Sequence, residues 1–302
     1  MTNAAPAHLA FETGTAPACP GPDPQPRGAT RFIVPKGAVD CHAHVVGLPP
    51  ETILAPNRSY TAPVATEAQY LHMLEATGMT RGVLVQISIH GTDNSLMLKA
   101  LRAHPQRLKG VAVVERDITG RECEELAKDS IVGLRINVMT PGGRTLADIE
   151  RYGAICRAMG WHLQLFIDAT VLAEYGTALS GLGVPLIFDH MGHRPAKNGV
   201  QDPGFQNLLG LVQDGAWVKL SGAYRVTSGG FPYTDTIPMA RALVAAAPDR
   251  CVWGSDWPNV STWAHMPNVG DLLDLLADWV PDEATRNRIL VENPASFYGF
   301  DK

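Results

Sequence analysis

The chain lacks a basic excess, a membrane-length apolar run, paired cysteines and a dinucleotide-binding glycine loop, and each absence removes a class of function. Its 25 Lys and Arg face 30 Asp and Glu, giving a net charge of -5. Binding a phosphate backbone needs clustered Lys and Arg, so nucleic acid is not an expected partner. Nowhere do about 18 apolar residues run uninterrupted, and the N-terminus has neither a basic n-region nor an apolar h-region. Neither membrane insertion nor secretion is expected. The five cysteines, Cys19, Cys41, Cys123, Cys156 and Cys251, are odd in number, scattered and never in a Cys-x-x-Cys pair. That is the usage of reduced thiols in a cytoplasmic protein. No Gly-x-Gly-x-x-Gly follows the first strand-like run, which argues against a doubly wound dinucleotide fold.

What is present is a chain of 302 residues, 45% hydrophobic and 18% charged, long enough for one large α/β domain acting as a monomer or small homo-oligomer. Residues 1–35 are rich in Pro, Ala and Gly, with Pro17, Pro20, Pro22, Pro24 and Pro26 closely spaced. Such a stretch holds neither helix nor ladder and reads as an extended N-terminal arm. Residues 36–302 alternate β-branched runs with helical patterns, the signature of βαβ units. The expected strands are Ala38 to His44, Arg81 to Ser88, Leu108 to Glu115, Ile131 to Val138, Trp161 to Asp168, Val184 to His190, Trp217 to Tyr224 and Arg250 to Asp256. Between them, Glu67 to Thr77, Leu96 to Ala103, Arg121 to Asp129, Leu146 to Met159, Phe205 to Gln213 and Pro238 to Ala247 read as helices. Eight rounds are the arithmetic of a (β/α)8 TIM barrel.

In such barrels chemistry collects where strands end, and here the ends are polar. Strand one ends in His42 and His44, whose spacing of two puts both side chains on one face. Strand two ends in Ser88 and His90, strand four in Arg135 and Asn137, strand six in Asp189 and His190, and strand eight in Asp256, while strand seven leads to Tyr224 and Arg225. The long loop from Val45 to Thr66, with Tyr60 near its middle, reads as a binding loop. Phe231 and Trp263 lie in two more such loops. His193 stays a reserve candidate, and Asp168 reads as a helix cap or a catalytic carboxylate.

Three histidines and an aspartate at strand ends frame a hydrolysis in which Asp256 activates water and the histidines, or a metal, polarise a carbonyl. A binuclear centre needs a bridging carboxylate or modified lysine on strand four and a histidine on strand five. Strand four offers Arg135, and strand five Gln164, Phe166 and Asp168. A metal-free site therefore stays open beside a mononuclear one. At most one divalent ion, zinc or manganese, fits His42, His44, His190 and Asp256. Arginine forks match carboxylates, so Arg135 and Arg225 point to an anionic ligand.

The segments Val39-Asp40-Cys41-His42-Ala43-His44, Val85-Gln86-Ile87-Ser88-Ile89-His90-Gly91-Thr92-Asp93-Asn94, Gly133-Leu134-Arg135-Ile136-Asn137, Phe188-Asp189-His190-Met191-Gly192 and Val252-Trp253-Gly254-Ser255-Asp256-Trp257-Pro258 resemble the amidohydrolase-related lactonase family that includes 2-pyrone-4,6-dicarboxylate lactonase. The C-terminal third is also similar to the family's sugar-acid lactone isomerases, and sulfomuconolactone hydrolases are related. The resemblance implies an amidohydrolase-like barrel that works without a required metal on a small anionic lactone. Asp256 matches the family's general base, and His42, His44 and His190 match its carbonyl-polarising histidines. Tyr60, Ser88, Arg135 and Arg225 match substrate contacts, and His90 at the end of strand two joins the substrate-binding candidates. Two departures bear on the substrate. Phe166 stands where the pyrone enzymes carry tyrosine, and the position of their second arginine falls at Pro141, with Arg144 in a different register. The expected activity is hydrolysis of a small carboxylated lactone. Lactone isomerisation is the alternative, ahead of decarboxylation or non-catalytic binding of acidic metabolites.

Overall fold

A computed structural model describes residues 16–140 and 145–301. Eight parallel strands pair in sequential order: β1 (Val39–Ala43), β2 (Arg81–Val85), β3 (Leu108–Ala112), β4 (Ile131–Asn137), β5 (His162–Phe166), β6 (Leu186–Phe188), β7 (Trp217–Leu220) and β8 (Cys251–Trp253). Between and after them run α1 (Glu67–Thr77), α2 (Ser95–Ala103), α3 (Gly120–Lys128), α4 (Ile149–Met159), α5 (Leu172–Ser180), α6 (Pro203–Gln213), α7 (Ala223–Val226), α8 (Ile237–Ala246), α9 (Val269–Trp279), α10 (Glu283–Asn287) and α11 (Asn293–Tyr298). The strands are buried along almost their whole length, as parallel strands covered by helices on one face and filled on the other must be. Helix starts are set locally. Thr66 and Thr119 each close a reciprocal capping box with the residue three positions on, at α1 and α3. Asp202 caps α6 ahead of Pro203.

The barrel closes between β8 and β1 just beyond the regular ladders. Asp256 N donates to His42 O at 2.8 Å and His44 N to Trp257 O at 2.7 Å. All eight expected strands are found, and most stop short of the expected C-terminal boundary. The run expected to reach Ser88 ends at Val85, that expected to reach His190 ends at Phe188, and that expected to reach Asp256 ends at Trp253. The polar residues in question sit on backbone that has left the ladder. Ser88–His90 is a single 3-10 turn, and His190 and Asp256 have φ of 50° and 58°, a region that non-glycine residues occupy only when their surroundings hold them there.

The described part of the arm crosses the barrel's site end. Thr61 N donates to Pro17 O at 2.8 Å, Cys19 N to Thr61 O at 2.9 Å, and the Trp263 indole N–H to Ala18 O at 2.9 Å. Further on, Arg27 and Arg31 pair with Asp271, Asp274 and Asp278 of α9. All five cysteines are buried free thiols. Among the described residues no helix is long and apolar enough to cross a membrane.

Candidate active site

Asp256 sits at the centre of the C-terminal end of the barrel, and its two oxygens have different surroundings. Oδ2 accepts from the Tyr224 hydroxyl at 2.6 Å and from Arg225 Nε at 2.5 Å. Oδ1 is buried without a hydrogen-bond partner and lies 3.6 Å from His44 Nε2 and 3.7 Å from His42 Nε2. His190 Nε2 approaches Oδ2 at 3.7 Å. Two glycines make this crowding geometrically feasible. A Cβ on Gly254 would come within 2.7 Å of His42 Cβ, and one on Gly222, whose φ is 65°, within 2.8 Å of the His190 ring.

Below Asp256 a buried charge network ties β4, β5, β6 and β7 together. Asp189 Oδ2 accepts from Arg135 Nε at 3.1 Å and from Gln164 Nε2 at 3.0 Å. Lys219, fully buried on β7, donates to Gln164 Oε1 at 2.7 Å and lies 3.4 Å from Asp189 Oδ1. Its ammonium is also hydrogen-bonded to His42 Nδ1 at 3.3 Å. An ammonium only donates, so this bond makes Nδ1 the acceptor and places the neutral ring's proton on Nε2, facing Asp256. Asp189 Oδ1 is 3.2 Å from the same nitrogen, with poorer hydrogen-bond alignment. His44 has the opposite tautomer, because Nδ1 donates to the Val85 carbonyl at 2.7 Å and leaves a lone pair on Nε2. His190 Nδ1 meets Ser221 Oγ at 2.9 Å; either atom can donate, so that contact fixes no tautomer.

Burial dominates the ionisation of the histidines. It pushes His42 down to about 3, lowers His44, and carries His190 well below the usual range, so all three rings are neutral at physiological pH. Burial also acts against charge on Asp189 and Asp256. Lys219 and Arg135 beside the first, and Arg225 beside the second, nevertheless hold both carboxyls well below the ordinary carboxylate value. Lys219 itself is lowered by burial, with Asp189 opposing the shift. Three cationic side chains, Arg135, Lys219 and Arg225, thus face two carboxylates and leave a positive surplus at a cavity of about 400 Å³.

The family model described as amidohydrolase matches residues 39–300. The chain belongs to the amidohydrolase family. Among its relatives, a 4-sulfomuconolactone hydrolase of Rhizobium radiobacter is 37% identical over 94% of this chain and 96% of its own. A 2-pyrone-4,6-dicarboxylate hydrolase of Comamonas testosteroni is 32% identical over 89% and 92%. A D-galactarolactone isomerase of Agrobacterium fabrum is 28% identical over 87% and 91%. A solved Acinetobacter baumannii structure, described as a 2-pyrone-4,6-dicarboxylic acid hydrolase with citric acid bound, superposes with a TM-score of 0.78 at 28% identity, covering 87% of this chain and all of that one.

In this amidohydrolase the cavity brings together His44, Tyr60, Ser88, Arg135, His190, Arg225 and Asp256 from the sequence-derived set, with His42 directly behind them. Tyr60 and Ser88 share a hydrogen bond at 3.2 Å. His90 is not among the lining residues; the turn after β2 aims its Nε2 at Gly47 O, 3.1 Å away. Both arginines are engaged, Arg135 by Asp189 and Arg225 by Asp256, while still facing the cavity. Asp168 caps the turn after β5 and pairs with Arg194 at 2.8 Å. Trp263 is spent on the arm and Phe231 stacks on Tyr233 and His265. Pro141 and Arg144 lie outside the described residues.

Lys219 was passed over, although a lysine inside an apolar strand expected to be covered on both faces carries a signal of its own. Asp40 was also passed over. It is fully buried, accepts from Ser255 N at 2.8 Å, Ser255 Oγ at 2.7 Å and Tyr70 at 3.2 Å, and so latches β1 to the segment carrying Asp256. Its place beside His42 in an otherwise apolar run was the available signal.

The donors also fit one divalent ion. His42, His44 and Asp256 offer atoms within 4.8 Å of one another, and the unpartnered Asp256 Oδ1 and lone-pair Nε2 of His44 face the same point. His42 would join them by moving its proton to Nδ1, where Asp189 would receive the hydrogen bond. Asp189 itself is committed to Arg135, Gln164 and Lys219.

Proposed function

We propose that this chain is a lactonase that hydrolyses a small carboxylated lactone, with Asp256 as the general base. One observation carries the reading. Asp256 lines a cavity with a positive surplus and keeps one oxygen without a hydrogen-bond partner among three neutral imidazoles, while its other oxygen is fixed by Tyr224 and Arg225. Cavities of a few hundred Å³ suit a single substituted ring. The relatives' names, sulfomuconolactone, pyrone dicarboxylate and galactarolactone, share a lactone bearing acidic groups.

The chemistry follows from which atoms accept and which donate. Water donates to Asp256 Oδ1 and to His44 Nε2, both acceptors, and attacks the lactone carbonyl carbon. His42 Nε2–H, held in that tautomer by Lys219, donates to the oxygen on which charge develops, with His190 beside it. A neutral imidazole is a competent electrophile here because burial keeps it from becoming a permanent cation. The donors on Oδ2 make Asp256 a weak base, so the proton transfer runs together with attack rather than ahead of it. The tetrahedral intermediate collapses with cleavage of the ring C–O bond, and Asp256 returns the proton to the departing ring oxygen. Lactone plus water becomes one open-chain hydroxy acid. Tyr60, Ser88, Arg135 and Arg225 bind the acidic substituents. A zinc or manganese ion held by His42, His44 and Asp256 would supply Lewis acidity at the carbonyl; the residue roles above do not call for it.

The test is a panel of lactones with and without ring carboxylates, with product identified by NMR before and after exhaustive chelation and elemental analysis. Ring-opened acid formed from the carboxylated members alone is expected. A rearranged ring would replace hydrolysis with isomerisation, and activity confined to uncarboxylated lactones would refute the anionic-substrate reading.

A further inference from the structure

The turn after β6 delivers two histidines to the cavity, and the reaction above uses only one of them. His190, Met191, Gly192 and His193 all have positive φ, at 50°, 53°, 71° and 53°. Four consecutive left-handed residues, three of them with side chains, are costly and persist only where the surroundings over-determine them. Here they do. Arg194, the next residue, is clamped by Asp168 Oδ1 and Oδ2, both at 2.8 Å, and by Asp202 at 2.9 and 2.8 Å. The Phe166 ring meets His190 and His193 edge-on, with centroids 5.0 and 5.1 Å away. Met191 is fully buried. The result is a rigid turn that presents His193 to the same cavity as Asp256 and Arg225.

His193 Nδ1 is enclosed by protein and has no hydrogen-bond partner. A buried polar atom in that state is disfavoured unless something else satisfies it. Burial first, then the charge of Arg225, pushes this histidine down to about 4, so it is a neutral group that can donate from one ring nitrogen. Around it the cavity carries a cationic surplus and, among the described residues, no carboxylate beyond Asp256. A ligand group arriving there is therefore an acceptor drawn in by the arginines.

Resting on the lactonase reading, we propose that His193 is a specificity residue whose Nδ1–H donates to an acidic substituent of the substrate. It would bind the ring substituent rather than the scissile carbonyl. Phe166 fits this division: a ring with no polar atom holds His193 in place, and His193 supplies the hydrogen bond.

Three substitutions test the assignment, because Asn places its amide N–H near the position of imidazole Nδ1, Gln near Nε2, and Phe removes both. For a carboxylated lactone, His193→Phe is expected to raise KM by about 10- to 100-fold with kcat within about threefold, since a lost hydrogen bond to a charged group is worth on the order of one to two decades. His193→Asn should recover most of the affinity and His193→Gln little. The Phe variant should also lose most of its preference for the carboxylated substrate over its uncarboxylated analogue. Unchanged KM in the Phe variant, an Asn variant as impaired as Phe, or a fall in kcat alone would overturn the assignment. Calorimetric titration with citrate separates this from the lactonase reading. If the wild type binds citrate, the Phe variant loses it and the Asn variant keeps it, the subsite stands even where no lactone is hydrolysed. Citrate binding equal in all four proteins overturns the subsite while leaving hydrolysis to its own assay, and binding by none of them overturns it too.

Discussion

Replacing Lys219 by methionine removes a buried ammonium while keeping the length and apolar stem of the side chain. Two consequences follow from its contacts. Gln164 Oε1 loses its 2.7 Å donor, and Asp189 loses one of two cationic neighbours, keeping Arg135 at 3.1 Å. Breaking a buried ionic contact costs about 3–5 kcal/mol. The surviving arginine puts this case at the lower end, about 3 kcal/mol, or a fall in Tm on the order of 5–10 °C for a domain of this size. The second consequence is chemical. With Lys219 gone, Asp189 Oδ1, an acceptor, remains 3.2 Å from His42 Nδ1. The proton then moves to Nδ1, and Nε2 can no longer donate to the lactone carbonyl. A wrong tautomer at an otherwise intact catalytic imidazole costs up to about four decades in rate. Two to three decades in kcat are expected here, because His190 remains. Nitrogen-15 NMR of the imidazoles reads the tautomer directly, alongside kcat, KM and thermal unfolding. A Lys219→Met enzyme with unchanged kcat and a proton still on His42 Nε2 would refute the reasoning, whatever happens to its stability.

Two further outcomes follow from the same contacts. Tyr224→Phe removes a 2.6 Å donor from Asp256 Oδ2; losing a hydrogen bond to the charged form raises the pKa of Asp256, so the acid limb of the rate profile should move up by roughly one unit, and an unmoved limb would count against Asp256 as the titrating base. Burial raises Asp40 to about 6, against about 3.9 when unfolded, so the native state holds this proton to higher pH. Its contribution to stability is then greatest below about pH 4, declines by about 3 kcal/mol as pH rises to 6, and is flat above. Unfolding of the wild type and Asp40→Asn across pH 4–8 should show their difference changing inside that window; a constant difference would contradict the assignment.

The fold was legible because parallel strands covered on both faces must be apolar runs, and eight such runs alternate with helical patterns. Their boundaries were less so. Ser88, His190 and Asp256 lie within three residues of the end of an apolar run, so they read as strand, whereas the backbone turns to place them in the cavity. That His42, His44, His190 and Asp256 come together was readable from polar residues interrupting apolar runs at equivalent ends. The turn after β2 sets a limit on that logic, since Ser88 and His90 carry the same signal and only Ser88 faces the cavity. Partnership was the least legible property. The Lys219, Gln164 and Asp189 network joins three strands by side chains 25 to 55 residues apart, and neither spacing nor periodicity reports such a meeting. Both arginines were read as open forks for a ligand, and each is tied to an aspartate as well. The site is therefore pre-set by its own ion pairs and offers a fixed positive field rather than free guanidinium groups.

The claim on which the account depends is that Asp256 moves the proton of the attacking water. Asp256→Asn keeps the shape and an acceptor for Tyr224 and Arg225 but removes the basic oxygen. Single-turnover kinetics on a carboxylated lactone should show the chemical step slowed by about two to four decades, with KM changed only a few-fold. Ring opening at the wild-type rate by the Asp256→Asn enzyme would contradict the account.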